Sequence, residues 1–293
     1  MSRIAYVNGQ YISHCEAAVH IEDRGYQFAD GVYEVFTVHN SQLIGEKGHL
    51  DRLTHSLKEL RIHWPVTRRS LSFISREVIR RNRIKNGIIY LQITRGVARR
   101  DHPFPETTES SLVLTARQNT PLDKNTLLKG VNVITIPDIR WKRRDIKSIS
   151  LLPNVLGKQQ ARDEGAFEAW LVNDDGFVTE GTSSNAWIVT KDGDLVTHNA
   201  SHAILNGITR LSVLEAADAA GVKFVERPFS VDEAKLAKEA FITSSSSHVK
   251  AVINIDGKSI GNGYVGELTT RLLDIYVNFI EGEGGPQKTN TWK

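Results

Sequence analysis

Lys147 lies in the stretch RDIKSISLLPNVLGKQQA, residues 144–161, behind Arg140, Lys142, Arg143 and Arg144 and ahead of the apolar Ile149, Leu151 and Leu152. A free lysine is protonated at neutral pH, and only the neutral amine attacks a carbonyl. Desolvation and neighbouring cations both disfavour the ammonium form. The context therefore suits a lysine that forms a Schiff base with an aldehyde. It also describes a solvated lysine beside a basic run, and on local context alone that description is the stronger. A second pattern is RRDH, where Arg100 and His102 stand two residues apart. In an extended stretch, residues i and i+2 point the same way, so a guanidinium and an imidazole can converge on one carboxylate. A lone pair of this kind is common by chance. Glu180, in VTEG, reads by itself as a turn carboxylate after a strand.

These groups need elements to position them. IAYVNGQYI alternates apolar and polar residues around Asn8-Gly9, which predicts a β-hairpin with a primed turn. GVYEVFTVHNSQLI predicts a second hairpin broken at His39-Asn40. Tyr33, Val35 and Thr37 share one face of its first strand, and Val32, Glu34 and Phe36 share the other. Leu50, Leu53, Leu57 and Leu60 then recur at helical spacing, predicting an amphipathic helix over 49–61. Pro65 ends it, and Thr67 caps a second helix running to about Arg83. GIIYLQITRG and SLVLTAR read as buried strands. The polar, unpatterned QNTPLDKNT is the linker candidate. Beyond it, strands are expected near VNVITI, AWLVN, SNAWIVT, AFITSS and AVINID, with helices from Pro153, from Thr209 and over GELTTRLLDIYVNFI. The expected architecture is α/β in two parts: a small N-terminal α/β domain over 1–120 and a larger mixed α/β domain over 121–282. A tail over 283–293 is expected to be disordered.

Composition bounds the function classes. The 293 residues are 40% hydrophobic and 24% charged, the profile of a globular chain with room for a sizeable core. A net charge of +3 is too mild to imply nucleic acid. No apolar run suggests a membrane span or a signal peptide. The single cysteine, Cys15, excludes an intrachain disulfide and fits a reducing cytoplasm. No metal-ligand spacing stands out, so no metal is expected.

Taken together, DRGYQFADGVYEV, HLDRL, ITRGVARRDHPFP, DIRWKRRDIKSISLLPNVLGKQQA, VTEGTSSN and LNGITR, in this order, resemble the fold-type-IV pyridoxal-phosphate enzymes. That group includes the D-amino-acid and branched-chain aminotransferases, and the resemblance leans to the D-amino-acid (D-alanine) type across residues 4–279. It implies pyridoxal 5'-phosphate as cofactor, with Lys147 as the covalent anchor and proton shuttle and Glu180 facing the pyridine nitrogen. Arg52 of HLDRL would contact the phosphate, with the backbone amides of Ile208 and Thr209 and a second loop carrying Ser244 and Ser245. Arg52 lies off the leucine stripe and so need not enter the core. Val35 and Leu205 match residues beside the cofactor ring; either could equally be plain core. Arg100 and His102 match a substrate-carboxylate trap completed by Tyr33, reaching into a neighbouring subunit's site, which implies a homodimer. Two departures stand out: Ser245 stands where the family more often has threonine, and His248 where it more often has glutamate.

The substrates this implies are amino acids and 2-oxo acids: a D-amino acid of the D-alanine type, with 2-oxoglutarate as acceptor. Within the same fold the alternatives are an (R)-amine or L-branched-chain aminotransferase, or an aminodeoxychorismate lyase, against which Arg100 and His102 argue. From another class, a non-enzymatic basic module would rest on Arg76, Arg80, Arg81, Arg83 and Lys85. That cluster sits at a helix C-terminus, where cations are favoured, and no aromatic set accompanies it.

Overall fold

A computed structural model describes residues 3–120 and 123–282. They divide into two compact units, one of residues 3–120 with 146–150, the other of residues 123–145 with 151–282. The expected tail lies outside the described residues.

The first unit opens with β1 (Ile4–Val7) and β2 (Gln10–Ser13), paired so that Val7 faces Gln10. Asn8 and Gly9 both take positive φ, 44° and 95°, as the primed turn requires. The short helix α1 (Arg24–Phe28), capped by Asp23, has no clear periodic signal and was not expected. Then come β3 (Gly31–His39), β4 (Gln42–Leu43), α2 (Glu46–Glu59), α3 (Arg68–Asn82), β5 (Gly87–Thr94) and β6 (Ser111–Gln118). The strands form one antiparallel sheet in the order β2-β1-β6-β5-β3-β4. Thr67 caps α3 by accepting from the Ser70 amide, and Arg83 ends it in the left-handed region. The apolar stripes of α2 and α3 meet Val32, Phe36 and Val38 and the buried faces of β5 and β6 in one core.

In the second unit, the turn α4 (Lys124–Leu127) leads to β7 (Val131–Pro137), α5 (Leu152–Asp163), β8 (Glu168–Val172), β9 (Phe177–Gly181), β10 (Asn185–Val189) and β11 (Leu195–Thr197). There follow α6 (Ile208–Ala219), β12 (Phe224–Glu226), β13 (Phe229–Ser230), α7 (Val231–Lys235), β14 (Glu239–Ser244), β15 (His248–Ile255), β16 (Lys258–Ser259) and α8 (Glu267–Glu281). The mixed sheet runs β12-β11-β10-β14-β15-β7-β8-β9-β13, with β16 on β15; β7 is parallel to both β15 and β8. Its two faces are covered differently. Val133, Trp170, Ile188 and Ile242 join one cluster, while Ile134, Ile136, Ala169 and Leu171 pack with Ala161 of α5 in another. Burial on both faces explains why its central strands read as continuous apolar runs.

Residues 146–150 belong to the first unit although the chain on either side belongs to the second. The Tyr33 amide donates to the Lys147 carbonyl at 3.0 Å, and the Ile149 amide to the Gly31 carbonyl at 3.1 Å. Ile146 is buried in the first core. Backbone pairing to the start of β3 thus outweighs sequence position, and it carries Lys147 with it.

Candidate active site

In the first unit, the half-buried Lys147 sits beside β3, its amide donating to Ser56 Oγ at 3.1 Å. Its Nζ lies 4.2 Å from the centroid of the Tyr33 ring, and Lys147 forms no ion pair among the described residues. Tyr33 and Val35 occupy the same half-buried face of β3, and Tyr90 of β5 packs beside Tyr33 with ring centroids 5.8 Å apart. Burial, with Tyr33 beside it, pushes the Tyr90 hydroxyl up to about 12.

The other face of β3 holds a charged cluster. Glu34 is fully buried and accepts from Arg52 Nε at 2.8 Å, Arg52 Nη2 at 2.7 Å and His49 Nδ1 at 2.7 Å. Arg52 is itself only 3% exposed, which corrects the expectation that it could stay out of the core. It lies off the leucine stripe, but a bidentate partner from β3 compensates its desolvation. Burial alone would raise the Glu34 pKa; Arg52 and His49 more than reverse this and hold it at about 2. Burial pushes His49 the other way, below its ordinary value, with Glu34 opposing and Arg52 and Lys147 adding to the shift.

Arg100 and His102 are exposed on the segment between β5 and β6, and both pack on Phe28. The Arg100 guanidinium is 5.2 Å from its ring centroid and the His102 ring 5.5 Å. The anchoring of this segment by Arg24 and Asp30 had no sequence signal beyond the DRG tripeptide and the aspartate before β3.

In the second unit, Glu180 is an interior residue of β9, buried to 4% exposure, not a turn carboxylate. It accepts from Arg140 Nη1 at 2.5 Å, from Asn185 Nδ2 at 3.0 Å and from the Leu205 amide at 3.1 Å. Burial pushes its carboxyl above the ordinary value, and Arg140 opposes that without cancelling it. Burial works against the charge on Arg140, yet Glu180 and Asp138 hold it protonated more firmly than usual. Arg143 pairs with Asp145 and Arg144 with Asp138, so the arginines of the basic run before Lys147 all face acidic partners.

Ile208 and Thr209 open α6 and are both buried. The cap residue, Gly207, offers no side-chain acceptor, which leaves the first-turn amides and the helix dipole available to an anion. A Cβ at Gly207 would collide with Asn185 Oδ1, and Asn185 is fixed by its bonds to Glu180 and to the Leu205 carbonyl at 2.8 Å. The buried Arg210 braces this turn through Asn206, the His198 carbonyl and Glu226. Ser244 ends β14 and accepts from the Ser247 amide at 2.9 Å; Ser245 follows in the half-buried turn to β15. His248 closes that turn with φ of 57°, a conformation histidine adopts more readily than β-branched or bulky residues, with its ring 5.9 Å from that of Tyr276.

The first unit thus carries a lysine on an aromatic face, and the second carries a buried carboxylate surrounded by donors and an uncapped helix N-terminus. These suit an aldehyde, a pyridine nitrogen and a phosphate. The profile of the amino-transferase class IV family matches residues 31–255. The chain belongs to the class IV aminotransferases. It is 40% identical over 278 residues to a D-alanine aminotransferase of Staphylococcus aureus (strain N315), covering 94% of this chain and 97% of that one. It is also 40% identical over 281 residues to that of Bacillus licheniformis, with 94% and 96% covered. Among solved structures, a T.th. branched-chain aminotransferase with pyridoxamine 5'-phosphate has a TM-score of 0.88 at 25% identity, covering 96% and 95%. The branched-chain enzyme of Escherichia coli has a TM-score of 0.86 at 22% identity, covering 100% and 98%. This class IV aminotransferase therefore shares its fold with enzymes named for branched-chain substrates and its sequence more closely with enzymes named for D-alanine. Among its described residues no helix is long and apolar enough to cross a membrane.

Proposed function

We propose that the chain is a pyridoxal 5'-phosphate-dependent transaminase. It would move the amino group of a D-amino acid of the D-alanine type to 2-oxoglutarate, giving a 2-oxo acid and D-glutamate by a ping-pong route. One observation carries the D-specific part: Arg100 and His102 both pack on the Phe28 ring, which keeps the two donors close enough to serve one carboxylate. The 40% identity to D-alanine aminotransferases supports it.

Lys147, Arg52, Glu180, Leu205, the Ile208 and Thr209 amides, Ser244 and Ser245 would hold the cofactor. When bound, it supplies an aldehyde for the amino group and a ring that accepts the electron pair released at Cα. Lys147 Nζ takes the Cα proton, and the Tyr33 ring beneath it limits where the amine can swing. Glu180 would supply the carboxylate for the ring nitrogen, and Arg140 and Asn185 keep that carboxylate in one orientation. Tyr33 and Val35 face the substrate from β3.

A homodimer completes the proposal, with Arg100 and His102 serving the site of the partner subunit. Leu152, Val155 and Leu156, at helical spacing on α5, leave more than half of their surface exposed in the single chain, a stripe suited to a second copy.

The deciding experiment is borohydride reduction of the yellow holoprotein followed by peptide mass spectrometry, together with turnover of D-alanine and L-leucine against 2-oxoglutarate. The adduct is expected on Lys147 and the faster turnover with D-alanine. An adduct elsewhere removes the role of Lys147, and faster L-leucine turnover removes the D-specific assignment.

A further inference from the structure

The segment that carries Arg100 and His102 has no helix or regular strand to hold it. Two buried arginines do so instead. Arg24, 3% exposed, donates from Nη1 to the Asp101 carbonyl at 2.6 Å and from Nη2 to the His102 carbonyl at 3.3 Å. Those carbonyls belong to the peptides on either side of the His102 Cα, so one guanidinium pins both planes that aim the imidazole. The same guanidinium lies 4.8 Å from the centroid of the Phe28 ring on which Arg100 and His102 pack. Arg95, 5% exposed, lies 3.6 Å from the centroid of the Phe104 ring, at the far end of the segment, and binds the Leu60 and Arg61 carbonyls.

Both arginines converge on Asp30. Arg24 Nε reaches its Oδ2 at 2.8 Å; Arg95 Nε and Nη2 reach Oδ2 and Oδ1 at 2.7 and 2.9 Å. Asp30 immediately precedes β3, whose third residue is Tyr33. One carboxylate therefore ties the segment bearing Arg100 and His102 to the strand bearing Tyr33. Burying two guanidiniums is costly without a compensating partner. A merely solvated loop would need neither of them.

We propose that Arg24, oriented by Asp30, is the positioning residue for substrate-carboxylate recognition. It holds the peptides flanking His102 so that Arg100 and His102 present one fixed pair of donors to the carboxylate shared by the amino-acid and 2-oxo-acid substrates. This rests on the role given to Arg100 and His102 under Proposed function.

The test compares Arg24→Met, Arg24→Lys and Arg100→Ala in the holoenzyme, each alone, and Arg24→Met combined with Arg100→Ala. Loss of two charge-assisted hydrogen bonds should raise KM for D-alanine and for 2-oxoglutarate together by about tenfold or more in Arg24→Met, with kcat lowered less than about threefold. Propanoate, an unreactive carboxylate, should lose affinity by a similar factor, read from its perturbation of the cofactor absorbance. Arg24→Lys, which keeps the charge and one reach to a carbonyl, should fall between. In the Arg100→Ala background Arg24→Met should add little, because the two act as one unit. Unchanged KM and propanoate affinity in Arg24→Met would overturn the proposal, as would a fall in kcat and melting temperature with KM intact. Should Arg24→Met not fold, Phe28→Leu replaces it, with the same expected rise in KM and the same overturning result. If Arg100→Ala leaves KM unchanged, the role of the segment itself fails. If Arg100→Ala raises KM and Arg24→Met does not, only the positioning role of Arg24 fails.

Discussion

Replacing Glu34 by glutamine tests the charged cluster behind β3. The substitution keeps the shape but removes the counter-charge of Arg52, which is 3% exposed, and turns one of the two acceptor oxygens into an NH2 donor facing other donors. Glu34 moves from an ordinary 4.5 to about 2 on folding, which corresponds to about 3 kcal/mol of stability at neutral pH. The folded-state value is the depressed one, so the contribution is complete above pH 4.5 and declines as pH falls toward 2. At pH 3 roughly 40% should remain by the same linkage. Chemical unfolding of wild type and Glu34→Gln should therefore differ by about 3 kcal/mol at pH 7, and the gap should narrow by about 2 kcal/mol on going to pH 3. A gap that stays constant over that range would show that the charge of Glu34 is not what stabilises the fold.

Three further outcomes are expected. Gly207→Ala drives a Cβ into Asn185 and should weaken cofactor retention by about tenfold, measured by titrating the apoprotein with pyridoxal phosphate; unchanged affinity would show that the turn can yield. Arg140→Met leaves the buried Glu180 without its counter-ion, so the Glu180 carboxyl should move further up and the pH profile of kcat should shift upward with it; an unshifted profile would remove Arg140 from control of that carboxylate. If each site takes Lys147 from one chain and Arg100 from the other, refolding a mixture of inactive Lys147→Ala and weakened Arg100→Ala chains should restore activity that neither has alone, and a mixture no more active than its components would argue against shared sites.

Much of the fold was legible before the structure because its signals are short-range. The leucine spacing marks α2, although that helix begins three residues earlier than periodicity indicated, at Glu46. Thr67 marks the start of α3, and Asn8-Gly9 marks the first hairpin. The helix α1 escaped notice because five residues are too few to display a period. The basic cluster on α3 reads differently once folded: Arg76 pairs with Glu46, and Arg80 and Arg81 with Glu77, so much of that charge is answered locally.

The sequence by itself determined the hairpins, the amphipathic helices, the order of motifs that marks a class IV aminotransferase and the candidate residues for its chemistry. Local backbone preference and side-chain periodicity act between near neighbours, so they can be read along the chain. Only the tertiary structure decided which charges face one another. Arg52 is buried because Glu34 arrives from a strand eighteen residues earlier, Glu180 is held by Arg140 forty residues before it, and Arg24 grips carbonyls more than seventy residues away. No local pattern encodes such pairings, because a buried ion pair forms only where packing has already excluded water from both partners.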